Sequence, residues 1–230
     1  MRDSWRYAVW LLVSSFLCLP AAAENPIDYT YVDIEYGADS ALEILGDSSD
    51  SDNGLALVGS WQWSDRFYLV ARHSSNTYDL PFPQSSFDIE FYAAGLGYRH
   101  PIRTGQSPVD LVVILTIEHQ NTDIITPLAA TRLSGEGYGG QAGFRTLVTP
   151  LFEVGFFAYY SAYGELPSVP GYLDGLHLIL SSAITLSDRF GLVVTYTTGE
   201  LDYKLLPSFS APVQVEVDRD DLLMGLRIRF

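Results

Sequence analysis

From residue 28 onward, apolar and polar positions repeatedly alternate along the chain with a period of two. Over residues 28–38, Thr30, Val32, Ile34 and Tyr36 share one face, and Tyr29, Tyr31, Asp33 and Glu35 the other. Side chains two apart line one face of a strand, whereas a helix would group positions three and four apart. The same alternation marks residues 54–63, 67–75, 87–99, 109–120, 137–146, 151–160, 175–186 and 190–201. The C-terminal residues 222–230 end the series, with Leu222, Met224, Leu226, Ile228 and Phe230 on one face and Gly225, Arg227 and Arg229 on the other. The pattern predicts an all-β fold of about ten antiparallel strands, with eight as the alternative. Val213, Val215 and Val217 alternate in the opposite parity to Leu222–Phe230, so a bulge or break is expected near residues 218–221, with the valines on a hairpin extension.

The spacing between these segments also alternates. Connections after the odd-numbered strands take about 11 to 16 residues, and those after the even-numbered ones about 3 to 9. Residues 39–53 form one of the long polar connections, with five acids (Asp39, Glu43, Asp47, Asp50, Asp52) and no base. Short turns at one end, long loops at the other and an even strand number describe a transmembrane up-and-down barrel, and strands of 9 to 12 residues suit a tilted span. The uniformly apolar face then meets lipid. A soluble barrel or sandwich is the competing arrangement, and it gives no reason for the asymmetry.

The start of the chain reads differently. Arg2 and Arg6 precede an apolar stretch from Ala8 to Leu19, followed by Pro20-Ala21-Ala22-Ala23. That is the layout of a secretory signal peptide over residues 1–23, with Glu24 opening a barrel domain over 24–230. The apolar stretch is too short for a membrane-spanning helix. Cys18, the only cysteine, falls within it, so the exported chain holds neither a disulfide nor a thiol nucleophile.

Composition narrows the function. A formal net charge of −15 argues against a nucleic-acid partner, which needs a basic face. Aromatics make up 13% and charged residues 18% of the chain, a mix suited to strands and turns. The aromatics fall into two belts. Tyr29, Trp61 or Trp63, Phe67, Tyr98, Phe144, Phe152, Phe190 and Phe230 lie at the short-turn ends, and Tyr36, Tyr138, Tyr160 and Tyr196 toward the other. Such belts mark the two membrane–water interfaces.

The inward parity carries charges of both signs near the short turns: Arg99 with Asp110, Arg145 with Glu153, and Arg227 and Arg229 facing Asp33 and Glu35 across the closing seam. Buried charges must be paired or hydrated, and a narrow barrel has little lumen left once side chains fill it. A paired network that holds the barrel shut is therefore expected, with a narrow pore for small solutes or ions as the alternative.

Signals for catalysis or metal binding are sparse. His73 and His119 have outward parity and His177 inward parity, so the three are not expected to converge, and neither a metal site nor a cofactor is predicted. The acidic residues 47–54 place Ser49, Ser51 and Asn53, not the aspartates, at calcium-loop positions if Gly54 is the sixth, so that motif fails.

Two resemblances follow from these residues. The signal segment, the strand layout and a last strand ending on Phe230 resemble the small outer-membrane barrels of Gram-negative bacteria, of the OmpA/OmpX-like type. That resemblance implies an outer-membrane location, Phe230 as an assembly signal read by the barrel-assembly machinery, contact with outer-membrane lipid and lipopolysaccharide, and a monomeric, non-catalytic surface protein. The four residues His73-Ser74-Ser75-Asn76 resemble the His-x-Ser-Asn motif of lipid A 3-O-deacylase barrels, which implies a lipid-modifying enzyme as a further alternative. In that family the motif lies late in the chain, with a carboxylate after it. Here it lies in the third strand.

Overall fold

Long strands hydrogen-bond in chain order until the last one returns to the first. A computed structural model describes residues 27–44, 47–51, 54–79, 85–103, 107–125, 127, 130–163, 171–205 and 213–230. The expected signal segment and the loop containing Pro207 and Pro212 lie outside these residues. The strands are β1 (Tyr31–Ile44), β2 (Asp47–Ser51), β3 (Leu55–Gln62), β4 (Phe67–Asp79), β5 (Ser86–Arg103), β6 (Val109–Ile125), β7 (Ala130–Thr149), β8 (Phe152–Tyr163), β9 (Gly171–Thr185), β10 (Phe190–Leu205) and β11 (Val213–Arg229). Each of β3 to β10 pairs antiparallel with the next, β1 pairs with β3, and β11 closes on β1. Ten strands therefore form a closed wall, while β2 is a short arm on the distal part of β1. Within the apolar band every wall strand is paired on both sides, the condition for a sheet that sits in hydrocarbon.

Toward the short turns the outward face of every wall strand carries the apolar parity. Between the two belts it holds, for example, Leu57 of β3, Leu96 of β5, Leu111, Val113 and Leu115 of β6, Phe156 of β8, Leu180 of β9, Leu192 of β10 and Leu226 of β11. None of the described outward positions of this band is charged.

The structure moves several expected boundaries. Most strands run well beyond the apolar band at the end away from the short turns: β6 continues to Ile125 and β7 starts at Ala130, where a long loop was expected over 121–136. Residues 39–53 are not simply a loop, because β1 continues to Ile44 and pairs there with β2. Polar composition misleads here. Beyond the outer apolar band a strand can turn polar residues to water, and Glu43, Asp79, Glu200 and Asp218 stand outward on strands there.

The expected break at residues 218–221 is absent. β10 and β11 pair without a register shift from Leu205 opposite Val213 to Phe190 opposite Ile228. Val217, Asp221, Leu223 and Arg227 all face inward on one uninterrupted strand. The irregularity lies across the seam instead, in β1 between Gly37 and Asp39. What inverts is the exposed side. Above the outer apolar band the outward positions are polar and the apolar parity turns inward, where Val217 packs with Tyr78, Phe87, Ile89, Tyr163, Leu173 and Leu201 in an interior cluster.

Ser64-Asp65-Arg66 and Ser187-Asp188-Arg189 close two of the short turns in the same way. The amide of Phe67 donates to Ser64 Oγ at 3.0 Å, and that of Phe190 to Ser187 Oγ at 3.2 Å.

Candidate functional site

Two groups of polar side chains stand out, one inside the barrel and one on its outer wall. The inner group begins at the short-turn end, where the chain before β1 tucks into the lumen. Ile27 and Tyr29 are fully buried there, against Tyr68, Val112, Phe157 and Ile179. Tyr29 is therefore part of the interior and does not belong to the outer aromatic belt. Its hydroxyl donates to Asp110 Oδ2 at 3.0 Å, and Arg99 donates to the same oxygen at 2.8 Å.

Around this plug the predicted charges meet. Arg145 donates to Glu153 Oε1 through Nε at 3.1 Å and Nη2 at 2.6 Å, and its guanidinium lies 4.2 Å from the Tyr29 ring centre. Arg227 grips both oxygens of Asp33 at 2.8 Å each and reaches Glu153 Oε1 at 3.1 Å. Glu153 thus joins two arginines that come from β7 and β11. Such two-pronged, charge-assisted contacts are the strong kind. Arg229 lies opposite Tyr31 rather than Glu35, and its nearest described carboxylate is Asp28, 3.9 Å away. Glu35 is left without either arginine: it is buried, and its Oε2 has no hydrogen-bond partner among the described residues.

Glu35 instead borders a lumenal cavity of about 150 Å³, together with Arg72, Glu118, Gln141 and Thr195. The cavity has room and polar partners for a few waters at roughly 30 Å³ each. Glu118 accepts hydrogen bonds from Thr116 at 2.5 Å, Tyr159 at 2.6 Å and Tyr163 at 3.0 Å. Gly139 makes room for it, since a Cβ at that position would collide with the carboxylate. Farther from the turns, Asp221 pairs with Arg219 at 2.6 Å and accepts from Asn76 and Tyr78 at 3.3 Å each. Arg72 and Glu118 were recoverable from inward parity. Asp221 and Arg219 were hidden by the expected strand break.

On the outer wall, strand register builds a second group. One cross-strand row reads Leu57, His73, Tyr92, His119 and Glu136; the next row outward reads Leu55, Ser75, Glu90, Asn121 and Ser134. His73 stacks on Tyr92 with ring centres 4.6 Å apart, and His119 lies 6.3 Å from the same ring. His73 and His119 therefore converge, contrary to expectation, while His177 stays inside against Tyr159. Tyr92 donates to Glu90 at 2.5 Å, Asn121 donates to Glu90 at 3.3 Å, and His119 Nε2 meets Asn121 Oδ1 at 3.1 Å. Asn76, the last residue of the four-residue motif, points into the lumen, so the motif is divided between the two sides of the wall. Above these rows Arg132 binds both oxygens of Asp123 and holds that carboxyl below its ordinary value. Among the described residues, the acids close enough together to hold a metal are the exposed Glu200, Glu216 and Asp218.

No protein-family profile matches the sequence, and no curated protein does. Solved structures similar to the chain are outer-membrane barrels. Neisserial surface protein A is 12% identical with a TM-score of 0.45, over 87% of this chain and 96% of that one. The outer membrane protease OmpT from Escherichia coli is 9% identical with a TM-score of 0.46, over 87% and 96%. Ail, the attachment invasion locus protein of Yersinia pestis, is 13% identical with a TM-score of 0.39, over 87% and 99%.

Proposed function

We propose that the protein is a non-conducting, non-catalytic barrel of the Gram-negative outer membrane that holds a rigid acidic collar of strand extensions above the lipid. The observation that carries this reading is the filled lumen. Ile27, Tyr29 and the ion pairs around Glu153 occupy the short-turn end, and the apolar cluster around Val217 occupies the other. The small cavity beside Glu35 lies between these two layers. In this reading the short turns face the periplasm, Phe230 is the signal used by the barrel-assembly machinery, and the collar, with Glu43, Asp79, Glu200 and Asp218 outward, meets the surface polysaccharide.

Single-channel recording in planar bilayers tests the sealed lumen. Purified protein is expected to insert without conductance steps, whereas stable steps from the wild-type chain would favour the narrow-pore alternative.

A further inference from the structure

The outer wall of β3 to β6 is dented. Gly59, Ala71 and Ala94 are direct cross-strand neighbours with outward parity, and three small residues side by side leave a shallow trough in the band. Two grooves of about 750 and 830 Å³ meet over these residues. The lower one runs past Trp61 and Trp63 to Phe230, and the upper one ends under His73, Tyr92 and His119. An apolar channel capped by hydrogen-bonding side chains has the amphipathic profile of a single lipid molecule.

The cap specifies which kind. Its groups are imidazoles, a phenol, a serine and an asparagine, with the carboxylates of Glu90 and Glu136 beside them. The arginine just above, Arg132, is engaged by Asp123. Carboxylates repel a phosphate placed against them, but they accept hydrogen bonds from hydroxyls, and aromatic faces pack against sugar rings. We infer that this wall binds one acylated-sugar lipid of the surrounding leaflet, with an acyl chain in the Gly59–Ala71–Ala94 trough and the sugar's hydroxyl and amide groups at His73, Tyr92, His119 and Glu90. The inference concerns binding and involves no bond cleavage. It rests on the reading that this wall faces lipid.

Trp61 and Trp63 provide the readout, because the chain's other tryptophans, Trp5 and Trp10, fall within the expected signal segment. Protein reconstituted in phosphatidylcholine with brominated chains is titrated with unbrominated lipid A from which the phosphates have been removed or, separately, unbrominated phosphatidylethanolamine, and a Trp61→Phe, Trp63→Phe variant supplies the background. Quenching in pure brominated lipid reports that the wall faces lipid at all. Lipid A is expected to relieve it about tenfold more effectively than its mole fraction dictates, the ratio that one or two net hydrogen bonds supply, and phosphatidylethanolamine in proportion to its mole fraction. His73→Ala with His119→Ala, or Ala71→Leu alone, is expected to abolish the preference while leaving bulk quenching and heat-modifiable gel migration intact. Relief that follows mole fraction for both lipids, or an equal preference for phosphatidylethanolamine, would overturn the site. No quenching in pure brominated lipid would instead overturn the lipid-facing reading beneath it.

Discussion

Replacing Glu153 with alanine is expected to lower the stability of the folded barrel by about 3–5 kcal/mol, the cost of leaving a buried ion without its partner. The effect is large because one carboxylate serves two guanidiniums. Arg145 would keep only the Asp28 carbonyl, at 3.0 Å, and its contacts with aromatic rings. Arg227 would keep Asp33 but lose its bridge to β7 and β8. The comparison that isolates the pairing is a double substitution, Glu153→Leu with Arg145→Met, which removes both charges of the closest pair and is expected to recover much of the loss. Urea unfolding of protein in lipid vesicles, followed by heat-modifiable migration, measures both. A Glu153→Ala protein as stable as wild type would mean that the network contributes little to holding the barrel shut.

The second large effect belongs to the outer wall. Leu115 is 65% exposed, yet it lies at mid-band on β6, between Val113 and Ile117 and beside Leu96 on β5. In water, a leucine that exposed would tolerate arginine. Facing hydrocarbon, Leu115→Arg is expected to cost about 2–4 kcal/mol. The same substitution at Val148, 53% exposed near the β7–β8 turn, is expected to cost about 0–1 kcal/mol, because it lies at the interface. Vesicle unfolding curves compare the two directly, and equal effects would contradict a lipid-facing band.

The two-residue period makes much of the wall legible in the sequence, because parity is a local property and the apolar face is uniform wherever lipid lies outside. It also placed Asp33, Arg99, Asp110, Arg145, Glu153 and Arg227 on the inner face. What it could not supply was register between strands, which is set by turn geometry and bulges. That is why Arg229 was matched with Glu35, and why His73 and His119 were expected to remain apart when one row of the sheet brings both against Tyr92. It also assumed a single outside environment. Once β11 leaves the lipid, Val217 faces inward and Asp218 outward on the same regular strand, and the change of pattern imitates a break. Tyr29 departs from the belt for a related reason: a tyrosine just before a strand suits an interfacial belt and a lumenal plug equally well in sequence terms.

The central claim is that β11 is one uninterrupted strand whose outer face passes from lipid to water near Leu222 while its inner face remains enclosed. Single spin labels at successive positions from 216 to 228, read for collision with oxygen and with a water-soluble nickel complex in vesicles, test it most directly. Even positions from 222 to 228 are expected to favour oxygen, and even positions from 216 to 220 the nickel complex, with odd positions protected from both along the whole length. Odd positions at 217 and 219 becoming accessible, with the even ones protected, would restore the break and contradict the continuous wall.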